Sequence, residues 1–373
     1  MRRPTGINPR RELLGILLVG LVATWLAYSA VLAQPAPAAA ENGVAVSAAA
    51  PNVISLWGGA RESIALKSDG TVWAWGGNFL GQLGDGTYSN TLTPVQVSGL
   101  ISVTSLGGRG YHNLAVQSDG TLWAWGWNST GQLGHDTSTT PCPGFAGTCS
   151  NVPVQVMGIS NPLTVTGGGF FSVALMPDHM LEAWGANEYG QLGDGSKTNR
   201  PAPVHVSSVL SNVIQVSAGW KHAVALSADG KVWTWGDNTT GQIGNGITST
   251  QGVSVPVQVP GLDNTLAVSG GDRFTAALKA DGTVWTWGWN GFGQLGDGTH
   301  TDRSSPVQVP GLSHVISVAA RDYHVLVIKS DNTVWAWGSG GNGELGNNTY
   351  ADSSIPVQVF FMDRSLFLPL IQR

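Results

Sequence analysis

Ser68 to Thr87 reads SDGTVWAWGGNFLGQLGDGT, and variants of this phrase begin again near Ser118, Pro177, Ala228, Ala280 and Ser330. The glycine that closes each Trp-Gly step falls at Gly76, Gly126, Gly185, Gly236, Gly288 and Gly338. Successive gaps are 50, 59, 51, 52 and 50 residues. Self-similarity at a fixed period of this length marks an array of units, none of which buries its apolar face alone. Trp73 and Trp75 are two residues apart, so in a strand they share one face and Ala74 takes the other. Large rings against small residues suit sheets stacked face to face. The third unit departs from this, with Glu182 where a Trp is expected, which predicts a looser blade or a polar contact.

Each unit reads as four short strands. A Pro-Val-Gln-Val run (Pro94 to Val97, Pro306 to Val309) is taken first, then Ile101 to Leu106 or Val315 to Ala319. A short apolar run such as Asn113 to Val116 and the Thr-Val-Trp-Ala-Trp strand follow. Asp-Gly at 69–70, 119–120, 229–230 and 281–282 links the last two, and Asp-Gly between such runs predicts a type I′ hairpin. Gly81, Gly84 and Gly86 predict a sharp reversal and close backbone approach. The expected fold is therefore all-β: a β-propeller of about six four-stranded blades. The strand Pro356 to Val359 has no following unit, so it is expected to complete the N-terminal blade and close the ring, removing exposed sheet ends.

The organisation around the array follows from composition. Arg2, Arg3, Arg10 and Arg11 precede the mostly apolar Leu13 to Leu32, and Val31-Leu32-Ala33 fits signal-peptidase cleavage. Residues 1–33 are expected to be a signal peptide or, uncut, a membrane anchor, since the stretch is long enough to span a bilayer. Either form exports the rest to the cell envelope or the extracellular space. Residues 34–51 are an Ala/Pro-rich spacer, 52–359 the propeller, and 360–373 a hydrophobic tail. The tail is too short to span a bilayer, and either packing on the propeller or a recognition-tag role fits it. Cys142 and Cys149, in the one long gap, are expected to form a disulfide closing a surface loop. Only 11% of residues are charged and the net charge is −5, which argues against nucleic acid as a partner.

Gly219, His222, Ala225-Leu226, Asp229-Gly230, Trp235-Gly236, Asn238 and Gly241-Gln242 resemble the regulator of chromosome condensation repeat family, and the likeness extends over about residues 52–359. It implies a propeller; the family's founder has seven blades and acts on a small GTPase, whereas six units are present here. An exported bacterial member would not meet such a GTPase, so that exchange activity is not expected. A bacterial relative that inhibits β-lactamases through the propeller face implies that the scaffold holds protein partners.

No catalytic signature is found. His112, His222 and His324 are repeat equivalents on different blades and are expected to pack blades or bond turns. Asp85, Asp194 and Asp297 are expected in turns, without the ligand spacing of a calcium loop. There is no phosphate loop and no nucleophile elbow. No metal or cofactor is expected. The candidate binding residues are aromatics beside the repeated pair: Tyr111, Trp127, Phe170, Trp220, Trp289 and Tyr323. The reading is an exported, non-enzymatic scaffold that binds a protein through its loops. The alternatives are a carbohydrate-binding or adhesive surface module, and a polysaccharide hydrolase or lyase.

Overall fold

In the computed structural model, residues 51–135 and 140–361 are described. The expected signal or anchor, nearly all of the spacer and most of the tail lie outside these residues. Packing divides the chain between Ile54 and Ser55; the blades belong to the second unit, except that the first strand, Val53–Gly58, begins two residues before it. Six antiparallel sheets form a β-propeller. They cover residues 53–96, 103–160, 164–205, 213–258, 265–308 and 315–358, called blades one to six. Each has four strands in sequential order, and blade two gains a short fifth, Thr140–Pro141, beside Thr148–Ser160.

The phasing of the units differs from the sequence reading. The Pro-Val-Gln-Val run is the outermost strand of the blade that precedes it, not the first of the next. In blade one Ala74 is paired with Val95, and in blade six Ala336 is paired with Val357. Ser353–Gln358 therefore completes blade six, and blade one has its own inner strand, Val53–Gly58. The expected closure by a swapped C-terminal strand does not occur. The Gly-Gln-Leu-Gly loop reverses tightly enough to return the chain alongside the Trp strand it has just left. Asn78 fastens it, accepting from Leu83 N at 2.9 Å and donating to Thr87 O at 3.1 Å.

The Asp-Gly hairpins are also corrected. Only the glycine has positive φ (Gly70, 79°), and Gly70 N donates to Lys67 O while Lys67 N donates to Thr71 O. This is a three-residue loop, a type I turn followed by a left-handed glycine, rather than type I′. Asp69 Oδ1 accepts from Thr71 N at 3.0 Å and secures it.

Five interfaces between successive blades share one design. The second indole of each Trp strand (Trp125, Trp184, Trp235, Trp287, Trp337) is fully buried against the preceding blade. Its Nε1 donates to the carbonyl of that blade's Gln82, Gln132, Gln191, Gln242 or Gln294, at 2.8–3.0 Å. The loop glycine there cannot be replaced: a Cβ on Gly244 would stand 2.6 Å from Trp287 Nε1. Around each indole, Val and Leu of the earlier blade meet the two inner strands of the later one, as Leu226 and Val232 meet Val268 and Ala277. The first indole of each pair is half-buried, and in blades one, five and six a Lys ammonium stands over it. In the third blade Glu182, at that position, bonds His205 Nδ1 at 3.1 Å, the polar contact expected there.

Blades six and one meet differently. Near the axis the Arg321 guanidinium lies over the Trp57 ring at 4.6 Å. Trp75, the counterpart of the five buried indoles, is only half-buried.

Candidate functional site

Each blade's first two strands are joined by a tight hairpin at the hub. Its tip residues are Ala60, Gly110, Gly169, Trp220, Asp272 and Asp322. Backbone bonds pass from tip to tip: Ala60 N to Gly110 O, Gly169 N to Trp220 O, Trp220 N to Asp272 O, and Asp272 N to Asp322 O, at 2.7–3.0 Å. The same end of the blades carries the loop that follows each Trp-Gly step, because Trp127 N donates to Tyr111 O and Trp289 N to Arg273 O. Hub hairpins and Gly-Gln-Leu-Gly loops thus share one face, and the Asp-Gly turns lie at the other.

That face gathers all six predicted aromatics, in two groups. Tyr111 and Trp127 have ring centroids 5.6 Å apart, Trp127 and Phe170 5.3 Å, Phe170 and Trp220 5.1 Å, and Tyr111 and Trp220 6.3 Å. This is a continuous four-ring cluster over blades two to four. Every ring in it is half-buried, so each is held yet presents an edge or face outward. The Trp127 Nε1 is buried without a hydrogen-bond partner. The second group joins Trp289 to Tyr323 at 5.5 Å and includes Phe292, 5.3 Å from Trp289. Edge-on contacts of this kind suit the aromatic quadrupole and fix the rings.

The cysteine insertion supports the first group. Cys142 and Cys149 are bonded, with Cα atoms 5.4 Å apart, and pack with Leu80, Tyr88, Tyr111 and Trp127. Phe145 at the loop tip is 51% exposed and lies 6.3 Å from Phe79 on blade one. Phe79, Phe145, Phe292 and Tyr189 (under the Lys221 ammonium at 4.5 Å) were absent from the predicted set. Three of the four carried a signal: Tyr189 and Phe292 each precede a Gly-Gln, and Phe145 is the sole aromatic between the cysteines.

The hub is polar and filled. Arg109, from blade two and 5% exposed, donates Nη1 to Ala218 O (3.0 Å, blade four) and Gly270 O (2.7 Å, blade five). Its Nη2 meets Asp322 Oδ1 of blade six at 3.3 Å. Burial raises the Asp272 carboxyl above its usual range against the opposing pull of Arg109. Burial, with the Asp272 carboxylate, pushes the Tyr323 hydroxyl up to about 12. The hub carboxylates are thus engaged with Tyr323 and Arg109. Among the described residues no group of three His, Cys, Asp or Glu is placed to hold a metal.

The predicted packing histidines are found where expected in two blades of three. His112 Nε2 meets Ser172 Oγ at 2.9 Å, and His222 Nε2 meets Thr275 Oγ1 at 3.0 Å, each reaching the following blade. Burial drives their pKa values down to about 4 and about 3, so both are neutral. Asp85, Asp194 and Asp297 bond their own turns, the last two also holding Arg200 and Arg303.

Against this geometry, the regulator of chromosome condensation (RCC1) repeat model matches at residues 69–116, 119–175, 183–226, 229–278, 281–328 and 331–371. The chain belongs to the RCC1 repeat family. Among curated relatives, this RCC1-repeat chain is 34% identical to the ultraviolet-B receptor UVR8 of Arabidopsis thaliana over 260 residues, 68% of this chain and 57% of that protein. It is 31% identical to the human E3 ubiquitin-protein ligase HERC2 over 256 residues, 66% of this chain and 5% of that protein. The chain thus spans little more than half of the first and a small part of the second. Among solved structures, human WBSCR16 aligns with a TM-score of 0.72 at 23% identity, covering 82% of each chain. Prp20p of Saccharomyces cerevisiae aligns at 0.71 and 23%, covering 83% of this chain and 77% of that one. Both likenesses concern the fold.

Proposed function

We propose that this chain is an exported, non-enzymatic propeller that binds a protein partner through the hub-hairpin face. The four-ring cluster Tyr111–Trp127–Phe170–Trp220 carries the reading. Half-buried aromatics locked by one another offer large contact area at little entropic cost, which is the make-up of interface anchors. The Arg109 plug directs recognition to the face rather than a central channel. The RCC1-repeat relatives support a protein partner: the yeast Prp20p structure is described with binding to Gsp1p and histones, and another with Kap60 bound. The basic start and apolar run of residues 1–33 support export, and so does the Cys142–Cys149 bond, because disulfides persist in oxidising compartments.

The test is affinity capture from the source cell envelope with wild type and with Phe170→Ala/Trp220→Ala, both confirmed folded. A discrete protein retained by the wild type and lost by the variant is expected. Recovery of nothing specific, or equal recovery by both, defeats the proposal. The trio Trp289–Phe292–Tyr323 beside Asp272 favours a second reading, a glycan platform, since sugars stack on rings next to carboxylates. Glycan-array binding abolished by Trp289→Ala would support it, and a blank array would exclude it.

A further inference from the structure

Four hub hairpins carry a glycine just before the tip residue: Gly59, Gly168, Gly219 and Gly271. Blades two and six carry Arg109 and Arg321 there instead. Two links bring these arginines to one corner of the hub, around blade one. Arg109 Nη2 meets the carboxylate of Asp322, one residue on from Arg321, at 3.3 Å. Trp57 of blade one donates Nε1 to the carbonyl of Gly108, one residue before Arg109, at 2.9 Å. The same indole lies under the Arg321 guanidinium at 4.6 Å.

Both cations have donors to spare. Arg109 is 5% exposed, and its Nε–H is buried without an acceptor although Nη1 and Nη2 are engaged. Among the described residues the Arg321 guanidinium has no hydrogen bond and no ion pair, because Asp322 turns to Arg109 and Asp272 to Tyr323. Burial first, and then the Arg109 guanidinium, hold Arg321 below the ordinary range of an arginine. Like charges brought together away from water repel, and a buried donor left unpaired is costly. A single acceptor that carries negative charge answers both. The junction of blades six and one gives access to it: Leu56 is 69% exposed against 9% for its counterpart Leu106, and Ala319 is exposed.

We propose that this corner of the hub is a binding site for one small oxyanion, a phosphate, sulfate or carboxylate group, held by Arg321 and by Arg109 Nε beside the Trp57 ring. The planar fork of a guanidinium matches the paired oxygens of such groups. The bound charge offsets the repulsion between the two arginines and ties blade six to blade two around blade one. The site is separate from the four-ring cluster and stands whether or not a protein docks there.

The test is calorimetric titration of the full chain with sodium phosphate, sulfate and acetate in turn, at an ionic strength held constant with sodium chloride. One saturable site per chain is expected for at least one of the three. Arg321→Gly installs the residue that four other blades carry, so it should melt as the wild type does in chloride. Its affinity should fall by about tenfold or more. Arg321→Gln, which keeps most of the side-chain length, should lose as much. The binding ion should raise the melting temperature of the wild type and leave both variants unmoved. Arg273→Gln, which removes an exposed arginine of the same face, should bind as the wild type does. No saturable binding of any of the three ions overturns the proposal. So does binding that survives both Arg321 variants, or that Arg273→Gln weakens equally, since either makes it a general effect of surface charge.

Discussion

The indole of Trp235 donates to the carbonyl of Gln191 at 2.9 Å, tying blade four to blade three through a group that is wholly buried. Trp75 occupies the same repeat position without such a partner and is half-buried. Trp235→Phe removes the donor and strands a buried carbonyl, which costs about 1–3 kcal/mol, and Trp235→Ala adds a cavity for a total of about 3–5 kcal/mol. Trp75→Phe should cost less than about 1 kcal/mol. Urea unfolding of the three variants checks the order, and equal losses at Trp75 and Trp235 would contradict the inequivalence of the interfaces.

Acid should loosen the ring at His112 and His222. Their folded pKa values, about 4 and about 3, lie below the ordinary value of 6.5, chiefly through burial. The neutral forms therefore contribute stability that is complete above 6.5 and is lost as pH falls toward the folded values. Each protonation that folding excludes adds a slope of up to about 1.4 kcal/mol per pH unit. Phe171 and Phe274 stand at the equivalent positions of blades three and five. His222→Phe should flatten the melting temperature between about pH 6 and about pH 4, measured by calorimetry.

Glu62 works in the opposite direction. Burial raises its carboxyl from 4.5 to about 7, with bonds from the Arg61 backbone and Asn113 only partly offsetting this. Stability from the neutral acid is complete below 4.5 and is lost as pH rises through about 7. Glu62→Gln should therefore gain on wild type by about 2–3 kcal/mol between about pH 4 and about pH 8, read from denaturation midpoints. A constant difference would show that Glu62 is ionised in the folded chain.

Arg109→Ala should weaken three blades at once. It leaves Ala218 O, Gly270 O and the Asp322 carboxylate without their donor, a loss of about 2–4 kcal/mol. Hydrogen exchange should rise at the hub hairpins of blades four to six, with little change at the Asp-Gly turns of the opposite face.

The blade count was legible because indoles at a fixed spacing must stack, and nothing local competes with that signal. The phase was not. A cyclic pattern has no intrinsic first strand, and the Pro-Val-Gln-Val run is as close in sequence to the next unit as to its own. Only the tight return after Asn78, with Ala74 opposite Val95, decides it. The six aromatics were individually visible, but their division into a cluster of four and a pair depends on which blades adjoin. Arg109 and Arg321 had a signal that went unread: they interrupt a repeat position held by Gly59, Gly168, Gly219 and Gly271. At that position an arginine reaches the hub only where the glycine is replaced.

A rotor assembled from near copies presents an approaching molecule with six almost superimposable orientations. The bonded loop between Cys142 and Cys149 breaks that degeneracy, an insertion in blade two whose tip residue Phe145 lies beside Phe79 of blade one. It gives the face an index mark, so that anything settling on the neighbouring rings does so in a single rotational setting.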